Sequence, residues 1–270
     1  MRTVLICQED SPLTRTAMAR WLGSCSEFVG LVVLKETGGR RWKRIRREAQ
    51  RIGWLRMLDV LAFRLYQRVF LVATDAEFAR RKLDELCIRY PPLPQDLPTL
   101  VTDSPNSTEA VDFIRERSPD VMIASCKHIL KPRVFQLAKT GAFALHPGIC
   151  PEYRNAHGCF WALANDDLDN VGTTLLKIDA GVDTGPIYGY FRGLYDEVRE
   201  SHLTIQRRMT LDNLDEIAGR LHEVHERTAA PIDVCGRKSA EWGQPWLTAY
   251  LRWKRHARRR ELSQVSRASM

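Results

Sequence analysis

The apolar positions fall into short runs separated by polar, Gly- or Pro-bearing stretches, and the period changes from run to run. Thr3 to Cys7 is a continuous apolar run closed by Glu9-Asp10-Ser11-Pro12, which predicts a buried strand and a turn. Ser11 is an N-cap candidate with Pro12 at the first helical position, so a helix is expected over Leu13–Leu22, ending near Gly23. Phe28 to Leu34 reads as a second buried strand, broken by Gly38-Gly39. After the loop marked by Pro91, Pro92, Pro94 and Pro98, strands are expected at 100–102, 120–125, 142–145, 173–178 and 187–191. Helices are expected from Asn106 or Ser107 to Arg117, over Pro132–Ala138, over Gly158–Asn165 and, as one amphipathic element, over Leu203–His225. Trp242, Trp246, Tyr250 and Trp253 recur at helical spacing and predict a final helix. Strand–helix alternation of this kind gives an α/β fold with a mostly parallel sheet.

The segment 40–90 departs from that rhythm and reads as a helical insertion. Between Ile52 and Val72 the polar residues Arg56, Asp59, Arg64, Gln67 and Arg68 share roughly one stripe, and the rest of the surface is apolar. Such a helix packs deeply, dimerises or lies on a membrane, deep packing being the commoner outcome. The expected organisation is an α/β domain over 1–200 containing this insertion, followed by a helical extension over 201–270.

Charge sharpens the picture in two places. The net charge is +8; residues 41–56 hold seven Lys or Arg against one acid, and 252–260 hold six against none. Runs of this kind are solvated helix faces or sites for phosphates, nucleic acid or an anionic membrane. Seven scattered cysteines without a CxxC pair suggest reduced thiols rather than a disulfide framework or zinc site. The short first apolar run is no signal peptide, and no apolar stretch is long enough to span a bilayer. A cytoplasmic protein is expected, with the basic helices as its route to the inner face of a membrane. GxGxxG and GxxxxGK[ST] are absent, which removes the dinucleotide fingerprint and the P-loop.

Ligands of open α/β sheets bind beyond the carboxyl ends of the strands. His146 stands at such an end, and Asp183 lies in a turn-rich loop between two expected strands, so the two are candidates for an oriented acid–base pair. A His-Pro step taken alone is more often a structural turn.

The ordered motifs are more specific. His146-Pro147-Gly148-Ile149-Cys150-Pro151-Glu152-Tyr153-Arg154 resembles the HPSLLPxYRG signature of the formyltransferase family, which includes methionyl-tRNA, glycinamide ribonucleotide and sugar-nucleotide formyltransferases. Trp161-Ala162-Leu163, Gly172-Thr173-Thr174 and the Asp179–Ile187 stretch, similar to DxGxDTGPI, follow in order. Pro119-Asp120 and Ile129-Leu130-Lys131-Pro132 resemble the family segment upstream. The resemblance is strong over about 119–192, looser over 1–40, and absent over 41–90 and after about 230.

The resemblance implies a Rossmann-like domain, 10-formyltetrahydrofolate as formyl donor, an amine as acceptor and no metal. It puts His146 and Asp183 at the family's catalytic positions and Lys127, His128, Ile129, Leu130, Gly148 and Asp179 at the donor site. Two residues before the His, where the family carries an oxyanion-binding Asn, stands Ala144. Alanine offers no side-chain donor, and losing one oxyanion donor typically costs about 10²–10³ in rate. Asn155, Lys127 and His128 are the substitutes within reach along the sequence; Asn155 is equally placed to cap the helix starting near Ala156. His157 belongs to that helix start, or to the acceptor site.

Three functions remain open at this stage: an N-formyltransferase, a formyl-donor hydrolase, and a catalytically lapsed folate- or ligand-binding relative whose basic helix holds a membrane or partner. The methionyl-tRNA enzymes carry a C-terminal β-barrel that 193–270 does not resemble, so a small or sugar-linked amine ranks above tRNA and nucleic acid is the less expected partner. A homodimer through the apolar helix face stays open.

Overall fold

Val4, Leu5, Ile6 and Cys7 are all fully buried, and a strand buried on both faces has no need of polar alternation. That is why the first strand reads as an unbroken apolar run. It is β1 (Arg2–Gln8) of a seven-stranded sheet in a computed structural model that describes residues 1–35, 46 and 48–268. The other strands of the sheet are β2 (Glu27–Leu34), β3 (Thr99–Thr102), β4 (Val121–Ser125), β5 (Gly141–His146), β7 (Thr173–Lys177) and β8 (Ile187–Phe191). Their order is β3-β2-β1-β4-β5-β7-β8; the first five run parallel, β7 runs against them, and β8 runs against β7. Two short strands, β6 (Arg154–Asn155) and β9 (Glu241–Trp242), pair separately. The expected α/β architecture, Rossmann-like and mostly parallel, is the one observed.

Side chains alternate between two cores across the sheet. Leu5, Val33, Ile123 and Phe143 pack under Trp21, Leu22, Ile217 and Leu221. Val4, Val32, Met122 and Ala142 pack under Ile114 and Val134 on the other face. The chain leaves β1 toward β2 and returns on its other side as β4, so strand order reverses at β1. The crevice at such a reversal lies beyond the carboxyl ends of β1, β4 and β5.

Most expected elements form within a residue or two of their expected bounds, and four differ instructively. The helix expected to stop near Gly23 runs through Cys25, after a π-helical turn at Leu13–Ala17. The helix after Pro132 ends at Phe135. The single helix expected over 203–225 is two helices, His202–Leu211 and Leu214–His225. Asn213 breaks it by turning its amide onto the Met209 carbonyl at 2.8 Å, a local bond that competes with helix continuation. The break lets Ile205 and Met209 enter one core while Leu214, Ile217 and Leu221 enter that of the sheet. Finally, Trp242 lies in β9 and the last helix starts at Leu247, because aromatic residues suit either period.

Within the expected insertion, helices span Trp54–Tyr66 and Val72–Arg89, joined by a π-helical turn at Gln67–Leu71. Met57, Val60 and Phe63 face inward onto Trp246, Phe160 and Tyr250. Gly38-Gly39 and the first part of the basic run, up to residue 45, lie outside the described residues.

The edge of β4 is tied to β1 by Asp120, whose carboxylate accepts the Arg2 amide at 2.7 Å and the Lys139 ammonium at 3.2 Å. The Arg2 amide, followed by Lys139, holds its carboxyl below the usual carboxylate range. A depressed folded value contributes stability that is complete above about pH 4 and lost as pH falls through the folded value. Asp120→Asn is therefore expected to lower stability at neutral pH and to flatten the acid limb of a urea-unfolding series below about pH 4.

Candidate active site

The loop after β5 is folded tightly back on itself. Gly148 and Gly158 meet backbone to backbone: a Cβ on Gly148 would sit 2.6 Å from the Gly158 Cα, and one on Gly158 would sit 2.7 Å from the Pro147 and Tyr153 oxygens. Only glycine allows this approach. The Cys159 amide donates to the Pro147 carbonyl at 2.9 Å, and Thr174 on β7 donates to the Gly148 carbonyl at 2.6 Å. The result brings the Tyr153 carbonyl within 2.7 Å of His146 Nε2.

Asp183 arrives from the loop between β7 and β8. Asp179 shapes that loop by accepting the Gly181 amide at 2.9 Å and the Thr184 hydroxyl at 2.8 Å. Arg154 donates to the Val182 carbonyl at 2.9 Å. At Gly185 a Cβ would lie 1.8 Å from the Lys177 oxygen, so the turn requires glycine there. Asp183 itself takes a left-handed φ of 51°, which Asp tolerates better than most residues. Its Oδ2 lies 3.3 Å from His146 Nδ1 and accepts the Asn155 amide at 2.8 Å.

His146 is thus 5% exposed, with an acceptor at each nitrogen. A carbonyl only accepts, so Nε2 carries a proton, and the carboxylate fixes the ring's orientation from the other side. This arrangement holds the ring in one orientation. It resembles an oriented acid–base pair more than a structural turn.

The other sequence candidates separate clearly. Ala144 lies on the His146 face of β5, half-buried, opposite Ala124 and Leu176. It brings no polar atom beside the imidazole. Asn155 reaches Asp183 only through its backbone; its side-chain amide donates to the Trp242 carbonyl at 2.7 Å. It does not cap the following helix, whose N-cap is His157 with a φ of 55°. Lys127 faces Asp10 at 3.3 Å. The Gln8 side-chain oxygen, in its hydrogen-bond-satisfying orientation, accepts from His128 Nδ1 at 3.2 Å and from the Lys127 amide at 3.3 Å. Ile129 is 67% exposed while Leu130 is core. Asn106 fastens this loop, donating to the Ile129 carbonyl at 2.9 Å and accepting the Lys131 amide at 2.7 Å. Gly148 and Asp179 serve the backbone as described, Gly148 against Gly158 and Asp179 within its own loop.

Residues 99–208, which contain His146, Asp183 and both loops, match the family model described as formyl transferase. That part of the chain is similar to the formyltransferase family. A methionyl-tRNA formyltransferase from Chlorobium limicola is 34% identical over 121 residues, covering 43% of this chain and 38% of its own length. The chain spans under half the length of the curated relatives it matches. The formyltransferase fold extends further than the sequence match. A sugar N-formyltransferase structure from a Shewanella species superposes with a TM-score of 0.52 at 13% identity, covering 90% of this chain and 77% of that one. A phosphoribosylglycinamide formyltransferase from Anaplasma phagocytophilum gives 0.52 at 12%, covering 91% and 99%.

Three features around this site were not read from the sequence: the Tyr153 carbonyl as the partner of His146, the Gln8–His128 contact, and the role of Asn106. Backbone acceptors carry no residue signature. Asn106 was visible only as a helix-cap candidate.

Behind the site two more imidazoles pack together. His157 and His202 have ring centroids 5.7 Å apart, and the Nδ1 of each is buried without a partner. Burial, helped by Arg64, pushes His157 down to about 4; burial, helped by His157, pushes His202 well below its usual value. Both rings are neutral in the fold, and the unfolded chain takes up their protons from about pH 6.5 downward. Stability should therefore fall between about pH 6.5 and 4, by about 1.4 kcal/mol per pH unit per ring at most. His202→Leu is expected to flatten that slope in urea titrations; an unchanged slope would contradict the burial argument.

Proposed function

We propose that the chain is an N-formyltransferase that moves a formyl group from 10-formyltetrahydrofolate to a small or sugar-linked amine. The observation that carries this reading is the 3.3 Å approach of His146 Nδ1 to Asp183 at the carboxyl end of β5, inside the matched segment. The neutral amine nitrogen attacks the formyl carbon, and the carbonyl electron pair moves to oxygen. Collapse of that oxyanion breaks the bond to the folate nitrogen, which takes up the proton lost by the amine. His146, held by Asp183, is the group that donates to the oxyanion and passes the proton. The donor's ring system would lie against the exposed Ile129 beyond β4, with Lys127 beside it.

A second reading, a ligand-binding relative that no longer transfers, draws on Ala144 and on the engagement of both imidazole nitrogens by the protein itself.

One assay separates the readings: release of tetrahydrofolate from 10-formyltetrahydrofolate with a panel of amines. The wild type is expected to turn over slowly, and Ala144→Asn to raise kcat by about 10²-fold by restoring an oxyanion donor. His146→Ala should abolish transfer. Asp183→Asn, which accepts the same left-handed backbone, should lower kcat with little change in KM. Donor consumption without any amine would support hydrolysis, and no turnover by wild type or Ala144→Asn would overturn the enzymatic proposal.

A further inference from the structure

The helix Trp54–Tyr66 and the turn after it are apolar on two faces, and only one of them is covered. Met57, Val60 and Phe63 point into the protein. On the opposite side Leu55, Leu58, Leu65, Val69, Phe70 and Val72 are exposed, Leu55 at 87% and Phe70 at 64%. Leu55, Leu58, Ala62, Leu65, Val69 and Val72 follow one another at three or four residues, with Phe70 beside them, and make one stripe about 25 Å long at about 1.5 Å per residue. An apolar stripe of this size left in water marks a docking surface.

Phe70 packs its ring 4.8 Å from that of Tyr66, and Tyr66 with Leu71 and the last helix lines a cavity of about 590 Å³. On the last helix Leu251, Arg255, Arg258, Arg259 and Leu262 share one face at helical spacing, and all five line the cavity together with Lys254 and Arg199. No acidic side chain lines it. Lys254 is engaged by the carbonyls of Glu197 and Val198 at 2.7 and 3.2 Å, and Arg199 by Asp196 and Glu261. The guanidinium groups of Arg255, Arg258 and Arg259 have no carboxylate partner among the described residues.

We propose that this face docks the protein onto an anionic phospholipid bilayer, with the apolar stripe entering the acyl boundary and a lipid phosphate held in the arginine-lined cavity. Charge selects this occupant. A second copy presents the same basic patch and no acidic side chain for the arginines, so it leaves them without an anionic partner. RNA would use the arginines and leave the leucines in water. An anionic bilayer satisfies both at once: amphipathic elements with basic and aliphatic faces sit at the headgroup boundary, and basic side chains add attraction to anionic lipid. The inference is independent of the chemistry assigned to His146.

Co-sedimentation of the full chain with vesicles tests it. Binding is expected to vesicles of phosphatidylcholine with phosphatidylglycerol, at least tenfold stronger than to phosphatidylcholine alone, and weaker at high salt. Leu58→Ser with Leu65→Ser should cut binding at least tenfold, as should Arg255→Gln with Arg258→Gln and Arg259→Gln. Trp54, 76% exposed, should shift its emission to shorter wavelength on wild-type binding. This readout needs no variant and decides the matter should either variant melt early. Failure of the wild type to bind anionic vesicles would overturn the proposal. So would a dimer that the leucine variant dissolves, or RNA binding that only the arginine variant loses, in the absence of vesicle binding.

Discussion

The whole site rests on the close approach of two glycine backbones. Because Gly148 and Gly158 have no Cβ, the chain leaving β5 can double back within a dozen residues and set the Tyr153 carbonyl under His146. The same reversal points the Asn155 amide at Asp183, which fixes the carboxylate that faces the imidazole. A side chain at either glycine would push the loop off the sheet, and three hydrogen-bond positions would be lost together. Geometry imposed by backbone packing thus governs the orientation of the His146 imidazole at the carboxyl edge of the sheet.

That edge also shows what has changed. On β5 the positions 142, 144 and 146 share a face, so the residue at 144 is the side-chain neighbour of His146 along the strand. A methyl group there leaves the imidazole as the main side-chain donor available to a developing oxyanion. The ring is in turn held by two acceptors belonging to the protein. On the proposed function, an imidazole that shares its proton between Tyr153 and the reacting oxygen makes a slow enzyme.

The sheet was legible in the sequence because strands buried on both faces leave an uninterrupted apolar run, as in β1 and β2. His146 and Asp183 were legible for a different reason: they stand in ordered motifs, since periodicity alone gives a lone His-Pro no meaning. What stayed hidden depends on long-range pairing. The direction of the Asn155 side-chain amide is set by the Trp242 carbonyl on β9, 87 residues away, and the break at Asn213 follows from two helices serving different cores. The aromatic residues near the C-terminus suited either a helix or a strand, and Trp242 took the strand because β6 offered it a partner. The apolar helix face was visible as a pattern, whereas the arginine-lined cavity beside it needed the last helix to be in place.

The central claim is that the crevice beyond β5, oriented by His146 and Asp183, receives the formyl donor. The most direct measurement is isothermal titration of the full chain with a stable 10-formyltetrahydrofolate analogue, beside His146→Ala as the site control. The account predicts saturable micromolar binding to the wild type that the substitution weakens. A wild type that folds normally and shows no saturable heat would contradict it, leaving the formyltransferase relationship as one of ancestry and fold.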